Sequence, residues 1–195
     1  MPSLVYFVAC TLDGFIAAPD GSIDAFVSDP EYLQALFARY PETCPAPLRG
    51  PLGVAGGNER FDSVIMGRAT YAAGLEAGVP NPYPTLDQYV VSTTLQCAES
   101  RVTVVRGELT ELVDRLRGGA GRDVWLAGGG RLAAAMRDAG LIDELILKIN
   151  PVALGDGIPM FDGAHAPVEF DLVGTSTLPA GVQLVHLRRV RGSCG

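Results

Sequence analysis

The chain is almost without lysine: fourteen arginines stand beside a single lysine, Lys148. Acids outnumber bases by 22 to 15, and the net charge is -7. A chain of this sign lacks the basic field that indiscriminate binding to nucleic acid or an anionic membrane needs. Histidine is equally scarce. His165 and His186 are the two present, neither with a partner at metal-ligand spacing, which argues against a histidine metal site or a Ser-His-Asp triad. The four cysteines (Cys10, Cys44, Cys97, Cys194) are scattered, with no C-x-x-C, so neither a disulfide framework nor a zinc ribbon is indicated. Cys10 lies in an apolar run and reads as a small core residue. No run of about 18 apolar residues occurs, and no basic segment precedes an apolar one at the N-terminus. A soluble, cytoplasmic, reduced protein is expected, with a small-molecule substrate and neither nucleic acid nor membrane as partner.

What the chain has in excess is glycine and proline, 24 and 14 of 195 residues. With 48% of residues hydrophobic, that excess signals turns and close backbone approaches in a packed protein. The length suits one domain over residues 1–195.

Leu4–Ala9 is a continuous apolar run and reads as a buried strand. Asp29-Pro30 opens a helix, with Asp29 at the N-cap and Pro30 at the first helical position. Tyr32, Leu36 and Phe37 then form an apolar stripe. Pro41–Asn58, dense in proline and glycine, reads as a long irregular loop, either a lid or pocket wall or an insertion without a role. Asp62–Met66, Gln88–Val91, Val102–Val105 and Asp123–Ala127 are further strands. Short helices alternate with them, one of them capped by Thr110. Glu144–Ile149, Glu169–Thr177 and Val182–Arg189 follow as strands. Strands alternating with helices, then strands alone, predict a mostly parallel α/β sheet with an antiparallel C-terminal hairpin.

Three strand ends carry unusual chemistry, and in an open α/β sheet ligands bind beyond the carboxyl ends of strands. Gly128-Gly129-Gly130-Arg131-Leu132 stands between a strand and a helix. Glycines let a ligand approach the backbone, and the helix start offers free N–H groups to a pyrophosphate, so a phosphate site is the reading favoured over a tight strand–helix turn. Gly67-Arg68-Ala69-Thr70 places a guanidinium at a helix start, where it can grip a phosphate or simply meet water. Ser92-Thr93-Thr94 can bond a phosphate or ribose, or form an ordinary Ser/Thr turn.

In this order, with Ala9–Ala17 (ACTLDGFIA), Val64–Tyr71 (VIMGRATY), Val90–Leu95 (VVSTTL), Trp125–Leu132 (WLAGGGRL), Leu141–Leu145 (LIDEL) and Pro151–Phe161 (PVALGDGIPMF), the chain resembles the dihydrofolate-reductase-like superfamily. The nearer likeness is to the reductase domain of bifunctional deaminase-reductases of riboflavin biosynthesis. The resemblance implies a three-layer α/β sandwich and an NADPH-dependent oxidoreductase, with hydride transfer to a pyrimidinone- or pterin-like substrate. It implies cofactor contacts at Gly67, Arg68, Ala69 and Thr70, at Ser92, Thr93 and Thr94, and at Gly128, Gly129, Gly130, Arg131 and Leu132. Ala9 and Ile16 would flank the nicotinamide, and Arg106 would lie near the adenosine. It also implies a homodimer joined through the C-terminal strands. The chain holds no zinc deaminase signature, so a stand-alone reductase is expected.

The helix acid that assists proton delivery in dihydrofolate reductases is not matched, because Tyr32 occupies the corresponding place. Lys148 reads either as a pocket cation or as an outward residue of an alternating strand. Asp13 is a pocket residue or, more simply, a turn former. Tyr32, Lys148 and Asp13 are therefore the catalytic candidates. The other reading of the whole chain is a non-catalytic NADP(H)-binding or sensor protein of the same fold.

Overall fold

A computed structural model describes residues 1–96, 101–163 and 167–190. Cys97, His165 and Cys194 lie outside the described residues. The main sheet has eight strands in the order β5-β4-β3-β6-β1-β7-β10-β9. These are β1 (Leu4–Cys10), β3 (Phe61–Gly67), β4 (Asp87–Val91), β5 (Val102–Val105), β6 (Asp123–Gly128), β7 (Glu144–Ile149), β9 (Phe170–Thr177) and β10 (Gln183–Arg189). The run from β5 to β7 is parallel throughout, and β10 is antiparallel to both β7 and β9. This is the expected mostly parallel sheet with a C-terminal antiparallel hairpin. A second ribbon pairs β2 (Phe15–Ala17) with β8 (Ile158–Pro159).

Strand β1 sits inside the sheet and is apolar at almost every position because both faces are covered. One face meets α1 (Pro30–Arg39) and the Tyr71 side of α3 (Arg68–Glu76) over a core of Val5, Phe7, Trp125 and Ile146. The other meets α4 (Leu109–Arg117) and α5 (Gly130–Asp138) through Leu112, Val113, Ala133 and Met136. Helix α1 forms as its sequence predicts. Asp29 accepts from the Glu31 amide at 2.8 Å, Pro30 takes the first position, and Tyr32, Leu36 and Phe37 are buried. Helix α4 differs from expectation. It begins at Leu109 behind Glu108, with no side-chain cap, so Thr110 lies exposed in its first turn. Leu109 packs against the core, and that contact draws the helix start forward.

The Pro41–Asn58 stretch is anchored rather than loose. A 3₁₀ turn at Pro41–Thr43 and α2 (Ala46–Arg49) give it order. Glu42 is fully buried, and its carboxylate accepts the amides of Arg60 (2.8 Å), Phe61 (2.7 Å) and Glu59 (3.3 Å) at the entry to β3. Arg49 donates to the Pro41 and Gly56 carbonyls at 2.7 and 2.8 Å, closing the loop on itself. A segment welded to the core through a buried carboxylate has little freedom to act as a lid. Glu42→Ala strands three amides and should lower unfolding free energy by about 3 kcal/mol. Urea denaturation at unchanged m-value measures this, and a loss near zero would contradict the anchoring role.

Candidate functional site

The carboxyl ends of β5, β4, β3, β6 and β1 stand side by side along one rim. At about 4.8 Å between neighbouring strands, the rim is roughly 19 Å long. In spatial order it carries Arg106 after β5, Ser92–Thr94 after β4, Gly67–Thr70 after β3, Gly128–Leu132 after β6 and Ala9 near the end of β1. Segments far apart in sequence thus form one continuous edge. Ile16 lies on β2, which is held over this edge because the Met160 amide donates to the Gly14 carbonyl (2.9 Å) and the Tyr6 hydroxyl to the Met160 carbonyl (3.0 Å).

The two glycine turns touch. Met66 is in register with Gly128, and the Gly129 amide donates to the Thr70 hydroxyl at 3.3 Å. Helix α3 is N-capped by Gly67 and α5 by Gly129, and neither has a side-chain cap. The first closing bond of α5 is Ala133 N–H to the Gly129 carbonyl (3.0 Å), so the amides of Gly130, Arg131 and Leu132 precede it. Two uncapped helix starts therefore present amides and positive dipole ends at neighbouring strand ends, which suits an anion. Arg68 is exposed and makes no hydrogen bond or ion pair with any described residue. Arg131 points into solvent with only a long contact to Asp162 (3.8 Å).

Two of the three glycines are there for different reasons. Gly128 sits at φ +122, where only glycine is at ease, and the space beside it is open. Gly130 is required by the protein itself: a Cβ there would collide with the Pro159 carbonyl oxygen of β8. The Gly128 face is thus free for a ligand, while Gly130 fastens the β2–β8 ribbon to the rim.

Beyond β4 and β5, a cleft of about 340 Å³ is lined by Arg68, Ser92, Thr93, Thr94 and Arg106. Ser92 is buried, and its hydroxyl accepts the amides of Thr94 (3.2 Å) and Leu95 (3.0 Å), so it builds the turn. Thr93 and Thr94 are exposed, and Arg106 is held against the Leu95 carbonyl at 2.7 Å. Gly107, Val91 and Val105 line the same cleft but carried no signal in the sequence beyond adjacency.

The catalytic candidates separate. Tyr32 is buried in the α1 core, and burial pushes its hydroxyl up to about 12. Asp13 faces solvent and ties two loops together. It accepts from the Thr11 hydroxyl (2.6 Å) and the amides of Leu154 (3.2 Å) and Gly155 (2.7 Å). The Thr11 bond, then the Gly155 amide, hold its carboxyl down to about 2. Lys148 lies half-buried on the α1 face with its Nζ 4.0 Å from the Phe7 ring centroid. Asn150, which the sequence reading passed over, is buried and accepts the Val27 amide (2.9 Å) while donating to the Lys148 carbonyl (3.0 Å). It joins the end of β7 to the loop that leads into α1. The one available signal was a polar residue directly after an apolar strand.

A doubly covered, mostly parallel sheet with its glycine turns on the carboxyl rim defines a dihydrofolate-reductase-like α/β protein. The model of the RibD C-terminal domain family matches residues 2–184, and the chain belongs to that family. The Bacillus subtilis protein YwjB is 30% identical over 185 residues, covering 94% of this chain and 97% of that protein. YyaP from the same organism is 26% identical over 195 residues, covering 94% and 93%. In fold the chain is similar to the diaminohydroxyphosphoribosylaminopyrimidine deaminase/5-amino-6-(5-phosphoribosylamino)uracil reductase of Thermotoga maritima, at TM-score 0.64 and 15% identity. That alignment covers 97% of this chain but 57% of the longer enzyme.

Asp13 gives a pH test. Its folded value near 2 lies below its ordinary 3.8, so its stabilisation is complete above pH 4 and fades as pH falls through 2. Asp13→Asn should melt lower than the parent at pH 7, with the difference shrinking between pH 4 and 2; a constant difference would contradict the assignment.

Proposed function

We propose that the chain is an NADPH-dependent reductase that delivers a hydride to a small pyrimidinone- or pterin-like heterocycle. The observation that carries this is the pair of uncapped helix starts, α3 and α5, meeting beside the unpaired Arg68. A pyrophosphate fits the amides of Gly130–Leu132, and the open Gly128 face gives it room. Arg68 and the exposed Thr93 and Thr94 suit the 2′-phosphate and ribose, with Arg106 alongside. Ala9 and Ile16, at the other end of the rim, suit the nicotinamide. The bound cofactor supplies the hydride; the protein supplies orientation and a dry site. Family membership supports reductive chemistry of the riboflavin type, and no deaminase signature stands in these residues.

The test mixes the pure protein with NADPH and either 5-amino-6-(5-phosphoribosylamino)uracil or dihydrofolate and follows the reduced cofactor by absorbance. Oxidation with either supports the reading. Tight NADPH binding without turnover favours the sensor alternative. Arg68→Ala should weaken NADPH binding about tenfold or more, the scale of one charge-assisted contact, while NADH binding changes little. An equal loss for both cofactors would remove Arg68 from the 2′-phosphate.

The edge strand favours a homodimer. Strand β9 closes the sheet and is exposed on nearly all its length, with Leu172 at 63% and Val173 at 46% exposure. Asp171 is its one charged residue, so little guards the edge against pairing with a second copy. Light scattering should give a dimer, and Val173→Lys should shift it toward monomer. A parent chain that is monomeric at all concentrations would contradict the dimer.

A further inference from the structure

Lys148 is the one described feature of the strand ends that the cofactor rim leaves without a task. Its strand register is set on both sides. Ala9 of β1 is its partner in the parallel ladder, and Leu184 of β10 is its partner in the antiparallel one. Residues alternate across a strand, so Phe7 and Ala9, Ile146 and Lys148, and Leu184 share one face. That is the face covered by α1. The side chain therefore does not reach outward from an exposed strand. It lies half-buried next to Ala9, the residue at the end of the rim that the proposed reading gives to the nicotinamide.

Among the described residues, no carboxylate pairs with Lys148. The ammonium rests over the Phe7 ring at 4.0 Å, a cation–π contact that supports a charge without neutralising it. Tyr40, at the end of α1, packs on the other reach of Phe7 with ring centroids 4.7 Å apart. The nearest acid on the same strand face, Glu144, is occupied by Arg60 (2.6 Å), His186 (2.7 Å) and Arg188 (3.3 Å). The remaining titratable and charged groups on this face are Tyr32 and Arg39 on α1, Tyr40 at its end, and His186 on β10, while Cys10 of β1 lies on the opposite face of the sheet. Arg39 is engaged by the Ser176 hydroxyl at 2.8 Å. An ammonium this sheltered and without a carboxylate is costly to keep in a fold unless a bound group uses it.

We propose that the Lys148 ammonium is the proton donor of the reductive step. This rests on the reductase reading above. As hydride reaches the electrophilic carbon of a C=N or C=O group, the Nζ–H bond breaks and the proton passes to the nitrogen or oxygen. The substrate gains one hydride and one proton, the cofactor leaves oxidised, and the neutral amine regains a proton from solvent. A lone lysine suits this better than arginine, because a guanidinium does not surrender its proton at neutral pH. Burial lowers the Lys148 pKa to about 8, close to where a general acid works best, although the nearby Cys10 pushes in the opposite direction.

The test exploits the composition. With one lysine in the chain, lysine labelled at Cε and Nζ gives a single resonance pair without assignment. Titration should show a midpoint near 8, and the resonance should shift when NADP⁺ and 5-amino-6-(5-phosphoribosylamino)uracil are both present. Lys148→Met should lower kcat by about 100-fold or more, leave NADPH affinity within about twofold, and abolish the alkaline fall in kcat. Lys148→Arg keeps the charge and should not restore kcat. A midpoint at the ordinary 10.5, a kcat for Lys148→Met near that of the parent, or full rescue by arginine each overturns the proposal while leaving the reductase reading intact. A parent protein that binds no NADPH, or oxidises none with either probe, overturns both.

Discussion

The pairing of β3 with β6 is the contact on which the site depends. It brings Met66 level with Gly128, so two strand-to-helix turns that lie about sixty residues apart end at the same height. From that register follow the Thr70–Gly129 hydrogen bond and the meeting of two helix starts without side-chain caps. A slip of one residue would turn every side chain of β3 to the opposite face and separate the turns. Buried anchors flank the pair, and an Arg60–Asp123 ion pair at 3.2 Å links the entry to β3 with the start of β6. Glu42 holds the entry to β3 by three amides, and the Trp125 indole of β6 donates to the Phe7 carbonyl of β1 at 2.8 Å.

This arrangement reconciles an acidic chain with the proposed cofactor site. Net charge of -7 discourages bulk polyanions, yet amides at two helix starts and one guanidinium need no basic surface. The same economy governs the interior. Glu144 gathers Arg60, His186 and Arg188 around one carboxylate, and those hydrogen bonds and charges hold it below its ordinary range against the opposing effect of burial. Lys148 sits on the covered face without such a partner among the described residues.

Much of the fold was legible in the sequence because its signals are local. Asp29-Pro30 announced α1, apolar runs announced the buried strands, and strands alternating with helices announced the parallel sheet. What escaped was set by contacts distant along the chain. Glu42 looked like part of a loose loop because its amide partners arrive seventeen and more residues later. Gly130 looked like a ligand glycine, whereas the Pro159 carbonyl presses on it from β8. Thr110 looked like a cap, but the packing of Leu109 placed the helix start two residues earlier. Lys148 stayed open between two readings because alternation gives the period of a strand and not which face holds room. The candidate cofactor residues were legible for another reason: glycines and hydroxyls at strand ends are written contiguously, even though the rim that unites them is not.

The central claim is that one dinucleotide lies along the rim from Arg106 to Ala9. The most direct measurement is a titration of ¹⁵N-labelled protein with NADP⁺, read as amide shift changes residue by residue. The account predicts the largest changes at Gly129–Leu132, Arg68–Thr70 and Thr93–Thr94, with 2′,5′-ADP reproducing those near Arg68 and leaving Ala9 unmoved. Changes centred elsewhere, or none at saturating cofactor, would contradict it.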